Sequence, residues 1–88
     1  MGAVAETMRR KLEEAFAPLE LDIRDESASH AGHNAAAAAG ETHFRIAITA
    51  AAFAGLSRVA QQRLVYAVLA DELAGPVHAL ALSAKAPA

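Results

Sequence analysis

A chain of 88 residues with no cysteine and a formal net charge of −2 has room for one core, burying about 60 to 70% of the surface its unfolded form exposes. The missing cysteine excludes disulfides, thiolate metal sites built by this chain alone and a Cys nucleophile. The charge excludes nucleic-acid binding by bulk electrostatics, which takes clustered Lys and Arg, and leaves only a local basic patch for that role.

Hydrophobic residues make up 55% of the chain, yet three Phe and one Tyr are its only aromatic residues. The expected core is thin, one layer of helices on one small sheet. Arg9, Arg10 and Lys11 interrupt the short apolar start where a signal peptide would carry its apolar segment, and no apolar run approaches the ~18 residues of a membrane helix. A cytoplasmic protein, or an organelle-matrix one in a eukaryote, with no membrane partner, is the expectation.

Val4, Met8, Leu12, Ala15 and Phe16 recur at three- and four-residue spacing between charged positions, which predicts an amphipathic helix ended by Pro18. Leu19, Leu21 and Ile23 then alternate with Glu20, Asp22 and Arg24 as in a half-buried strand. Residues 27–40 show no period, and five alanines are too few to repay helix nucleation. They read as a long loop, longer than the usual hairpin connection and of the kind that is functional or mobile.

His43 to Thr49 alternates again, with Phe44, Ile46 and Ile48 inward and His43, Arg45 and Ala47 outward, and should pair antiparallel with the first strand. Ser57 is a good N-cap for a helix whose stripe is Leu64, Val65, Val68, Leu69 and Leu73, stopped by Gly75 and Pro76. Val77 to Ser83 reads as a last strand. The fold class is therefore α+β, in the order helix, strand, strand, helix, strand, with one domain over 1–88 and helices on one face of a three-stranded sheet. If the last strand lies beside the second, the helical crossover makes that pair parallel and the sheet mixed.

Enzyme motifs are missing. There is no phosphate loop after a strand and no G-x-S-x-G elbow, and no serine has a recognisable base and orienting acid beside it. Asp25 and Glu26 at a strand end read as solvated charges rather than an acid/base pair. No catalytic residue is assigned.

The four histidines carry more information, because neutral imidazole ligates zinc, copper, iron and nickel. His30 and His33 lie three apart in the long loop, His43 opens the second strand, and His78 lies at the start of the third. Each alone is more often a surface or hydrogen-bonded histidine than a ligand. The loop pair, however, serves no packing purpose, and His78 at a strand end can reach solvent. Two histidines leave a metal site unfinished, so a partner would complete it. Iron–sulfur clusters accept histidine in place of cysteine on one iron, which makes a site shared with another protein's thiolate chemically reasonable.

The segments H-A-G-H at His30 to His33, G-E-T-H-F-R-I at Gly40 to Ile46, F-A-G-L-S at Phe53 to Ser57 and R-L-V-Y-A-V-L-A-D-E-L-A-G-P-V-H-A-L at Arg63 to Leu80 resemble the BolA family, in its order and spacing, from about Met8 to Pro87. That resemblance implies a fold similar to a class II KH domain. It also implies a non-enzymatic role beside monothiol glutaredoxins in iron–sulfur cluster assembly, transfer or iron homeostasis, with a [2Fe-2S] cluster shared with the glutaredoxin and its glutathione. The isolated chain would hold no cofactor and would be a monomer or a weak homodimer.

By the same resemblance His78 matches the family's C-terminal histidine ligand. His30 matches the variable loop position, with His33 as its alternate, and His43 is the weakest ligand of the four. Family members are also described as DNA-binding transcription regulators, and Arg58, Arg63 and Lys85 are what remains of such a surface here. That alternative is weakened by Gln61 and Gln62 where many relatives carry basic residues. It is weakened further by the lack of a G-x-x-G clamp.

Overall fold

The computed structural model describes residues 2–27 and 40–88. Helix α1 (Ala3–Phe16) leads into strand β1 (Glu20–Asp25), and β2 (His43–Thr49) is followed by a short 3-10 turn (Ala51–Phe53). Helices α2 (Arg58–Val68) and α3 (Ala70–Ala74) then lead to strand β3 (Ala79–Lys85). The strands form one sheet in the order β1-β2-β3, antiparallel between β1 and β2 and parallel between β2 and β3. The helical crossover between β2 and β3 is what permits that parallel pair.

Local chemistry sets the element ends. α1 closes with Ala17 in the left-handed region, its N–H bonded to the Glu13 carbonyl, and Pro18 prevents continuation. Ser57 caps α2 by accepting from the Ala60 N–H at 3.1 Å. The expected single helix is divided at Leu69, whose φ of −98° and ψ of 17° lie outside the helical range. The Leu69 N–H still reaches the Val65 carbonyl and the Leu73 N–H the Leu69 carbonyl, each at 3.0 Å, so the apolar stripe crosses the break.

The strand registers sort the side chains. Ile23 faces Ile46, and Ile46 faces Leu82; Phe44 faces Leu80, and Ile48 faces Ala84. These residues point toward the helices, where Met8, Leu12, Val65 and Leu69 complete the core. The rings of Phe16 and Phe53 meet at 5.1 Å with a 47° tilt. The other sheet face carries Asp22, Arg24, Arg45, Ala47, Ala81 and Ser83, all exposed.

Three expectations are corrected. Leu19 precedes β1 and is 72% exposed, although its N–H bonds to the Thr49 carbonyl. Ala15 of the α1 stripe and Leu64 of the α2 stripe are exposed, while Ala5 of α1 is buried in the core. The last strand runs from Ala79 rather than Val77: Val77 is buried against the core, and its N–H bonds to the Glu72 carbonyl at the end of α3.

A charged pair is built into the helix layer. Lys11 Nζ lies 2.8 and 3.0 Å from the two Glu72 carboxylate oxygens. The two side chains are only 25% and 10% exposed. It ties α1 to α3 across the sheet-covering layer.

Candidate functional site

The end of β1 and the approach to β2, on either side of residues 28–39, are braced together by short polar side chains. Asp25, at the end of β1, accepts the Ser27 N–H at 2.9 Å through Oδ1, an Asx turn, and the Glu41 N–H at 2.9 Å through Oδ2. The Ser27 side chain is buried, and its Oγ accepts the N–H groups of Thr42 and His43 at 2.9 and 3.1 Å. Partial burial alone would raise the Asp25 carboxyl. Hydrogen bonds from the Ser27 hydroxyl and N–H and from the Glu41 N–H, with His43 nearby, outweigh it and hold the group below its usual value.

Glu41 extends the brace to the first helix. Its φ of 62° turns the chain so that Oε1 accepts the Val4 and Ala5 N–H groups at 2.9 and 3.3 Å. A carboxylate there satisfies two N–H groups that the helix cannot bond internally and complements the positive end of its dipole. Gly2 provides the close approach, since a Cβ at that position would collide with the Glu41 carboxylate.

His43 and His78 meet at this end of the sheet. His43 is the first residue of β2, half-buried, and its register partner is Ala79. His78, exposed, directly precedes β3, and its N–H bonds to the Thr42 carbonyl at 2.7 Å. The ring centroids are 6.2 Å apart with planes tilted by 56°. His43 Nδ1 lies 2.8 Å from Thr42 Oγ1, which is itself 3.3 Å from Ser27 Oγ.

An imidazole centroid lies about 3.2 Å from a metal bound at one of its nitrogens, so two imidazoles on one tetrahedral ion lie about 5.2 Å apart. The 6.2 Å between these rings is about 1 Å wider, so the two side chains must close slightly to share such an ion. Among the described residues no group of three or more His, Asp or Glu side chains could hold a metal ion. The pair is thus two donors of a larger set. Two imidazoles without thiolate also fit one iron of a histidine-ligated [2Fe-2S] cluster, whose other iron takes thiolates.

Of the other predicted site residues, His30 and His33 lie outside the described residues. Arg58 opens α2 and lines a cleft with Gln61, Gln62 and Leu82 to Ala84. Lys85 ends β3 beside Glu20 and Thr49, and Arg63 is exposed farther along α2. Asp25 and Glu26 are engaged rather than simply solvated: Asp25 braces the loop, and Glu26 pairs with Arg45 at 3.2 Å. Sequence reasoning missed the Ser27–Thr42 brace and the closeness of His43 to His78. The D-x-S at Asp25 to Ser27 signalled the first, and the parallel register of β2 and β3 implies the second.

Residues 12–88 match the family model of the BolA-like protein. The chain is 49% identical over its full length to human BolA-like protein 1, of which it spans 61%. It is 44% identical, again over its full length, to the chloroplastic/mitochondrial SufE-like protein 1 of Arabidopsis thaliana, of which it spans 25%. The solved BolA domain of SufE1 from A. thaliana superposes with a TM-score of 0.88 at 44% identity, covering 99% of this chain and 95% of that one. For the solution structure of mouse BolA1 the TM-score is 0.83 at 46% identity, with 99% and 68% covered. The mixed three-stranded sheet and the helical layer are therefore those of a BolA domain, and this chain belongs to the BolA-like protein family.

Proposed function

We propose that this chain is a non-enzymatic binding module that pairs with a monothiol glutaredoxin around a shared [2Fe-2S] cluster, in cluster assembly or transfer or in iron homeostasis. The observation that carries the reading is the approach of His43 and His78 to 6.2 Å in a chain without cysteine. Two imidazoles from this side leave the thiolates, a glutaredoxin cysteine and glutathione, to the partner. His78 is the principal ligand, and the second imidazole comes from His30 or His33 or from His43. The SufE-like name of one relative fits an iron–sulfur context.

Reconstitution tests this pairing. The chain mixed with a monothiol glutaredoxin, glutathione, ferrous iron and sulfide should elute as a coloured heterodimer. Omission of iron or sulfide should leave a weaker, colourless complex or separate proteins. A glutaredoxin that keeps its cluster as a homodimer and never co-elutes with this chain would contradict the reading.

A further inference from the structure

Thr42 touches both histidines of the site by different groups. Its backbone carbonyl accepts the N–H of His78 at 2.7 Å and that of Ala79 at 3.2 Å, which fixes where the His78 backbone lies. Its hydroxyl lies 2.8 Å from Nδ1 of His43. The same hydroxyl is 3.3 Å from Ser27 Oγ. Thr42 and Ser27 are 7% and 1% exposed, so bulk water does not compete freely for these groups.

From this arrangement we propose that Thr42 is a positioning residue that selects Nε2 of His43 as the nitrogen presented to a metal. The proposal rests on the reading of His43 and His78 as ligands and adds which atom of His43 binds and what holds it. A hydroxyl can serve Nδ1 in either direction. When Nε2 carries the ring proton, the Thr42 hydroxyl donates to Nδ1. When a metal occupies Nε2, the ring proton resides on Nδ1 and is donated to Thr42 Oγ1, whose own hydrogen turns away from the ring.

Both arrangements keep Nδ1 against Thr42, and coordination falls to Nε2 on the far side of the ring. This is how an outer group commonly fixes the tautomer and rotation of a ligating histidine, and its loss typically weakens metal binding about 10- to 100-fold.

The test uses this chain alone with zinc(II) as the probe and reads the imidazole nitrogens by 15N NMR. Because no glutaredoxin, glutathione or iron is present, its outcome is independent of whether the cluster-sharing complex forms. In the wild-type chain zinc should shift His43 Nε2 to the metal-bound position, with Nδ1 as the N–H. Thr42→Val keeps the backbone carbonyl that holds His78 and deletes only the hydroxyl. It should weaken zinc binding about tenfold and let both His43 nitrogens take the metal.

Thr42→Ser restores the hydroxyl and should restore Nε2 coordination and most of the affinity, which also serves if the valine variant folds poorly. Wild-type zinc bound through Nδ1, a His43 ring that zinc does not perturb, Thr42→Val with wild-type affinity and nitrogen choice, or Thr42→Ser without Nε2 coordination would each overturn the assignment.

Discussion

The N–H of His78 bonds to the carbonyl of Thr42 at 2.7 Å, so the residue preceding β3 is fixed to the residue preceding β2. That one bond sets the start of the parallel register and brings the His78 ring within 6.2 Å of the His43 ring. If the pair acts as one site, either ring removed should cost metal affinity. His78→Ala and His43→Ala should each weaken zinc binding by the isolated chain about tenfold or more, measured by competition with a chromogenic chelator, and the double variant should add little to the worse single one. Full additivity of the two losses would argue for separate sites.

The loop brace predicts a particular acid sensitivity. Asp25 titrates below its usual value when folded, although burial alone would raise it, because Ser27, Glu41 and His43 favour its ionised form. Folding therefore prefers the carboxylate. Its contribution is present above the unfolded value, about 3.9, and is lost as pH falls through the lowered folded value. Urea unfolding at stepped pH should show wild type losing stability in that acid range, and Asp25→Asn should lose less there while being less stable at pH 7. An unchanged acid limb in Asp25→Asn would remove this role.

Ser27 should matter more than an ordinary loop serine. Its Oγ accepts two backbone N–H groups, of Thr42 and His43, and it is buried. Ser27→Ala strands those donors and should cost about 1 to 3 kcal/mol in denaturant unfolding. A loss under about 0.5 kcal/mol would mean that water replaces the hydroxyl.

Glu72 and Lys11 form a half-sheltered pair rather than a surface one. Lys11→Met leaves a carboxylate that is 10% exposed without its cation, and should cost about 1 to 3 kcal/mol, less than removal of one partner from a fully buried pair. Lys11→Met with Glu72→Met should recover part of that loss. A double variant as unstable as the sum of the two singles would show no coupling between them.

The sheet was legible in the sequence because period-2 alternation is a local property: Phe44, Ile46 and Ile48 face the core as read. So were the caps, since Ser57 acts through the third residue after it. Leu19 misled because its alternation continues one step beyond the residues that the ladder with β2 places against the helices. The division of the helix at Leu69 carries no Gly or Pro signal. The site was legible as four histidines and not as a pair, because the meeting of His43 and His78 depends on the β2–β3 register, which joins positions distant in sequence. The Thr42 hydroxyl stayed hidden for the same reason, as one of its partners, Ser27, is fifteen residues away in sequence.

The central claim, a cluster held jointly by this chain's imidazoles and a glutaredoxin's thiolates, is tested most directly by visible circular dichroism of the reconstituted complex with monothiol glutaredoxin and glutathione. Wild type should give a spectrum distinct from that of the glutaredoxin homodimer, and His78→Ala should change or abolish it while the variant chain stays folded. A His78→Ala complex with the wild-type spectrum would contradict the account.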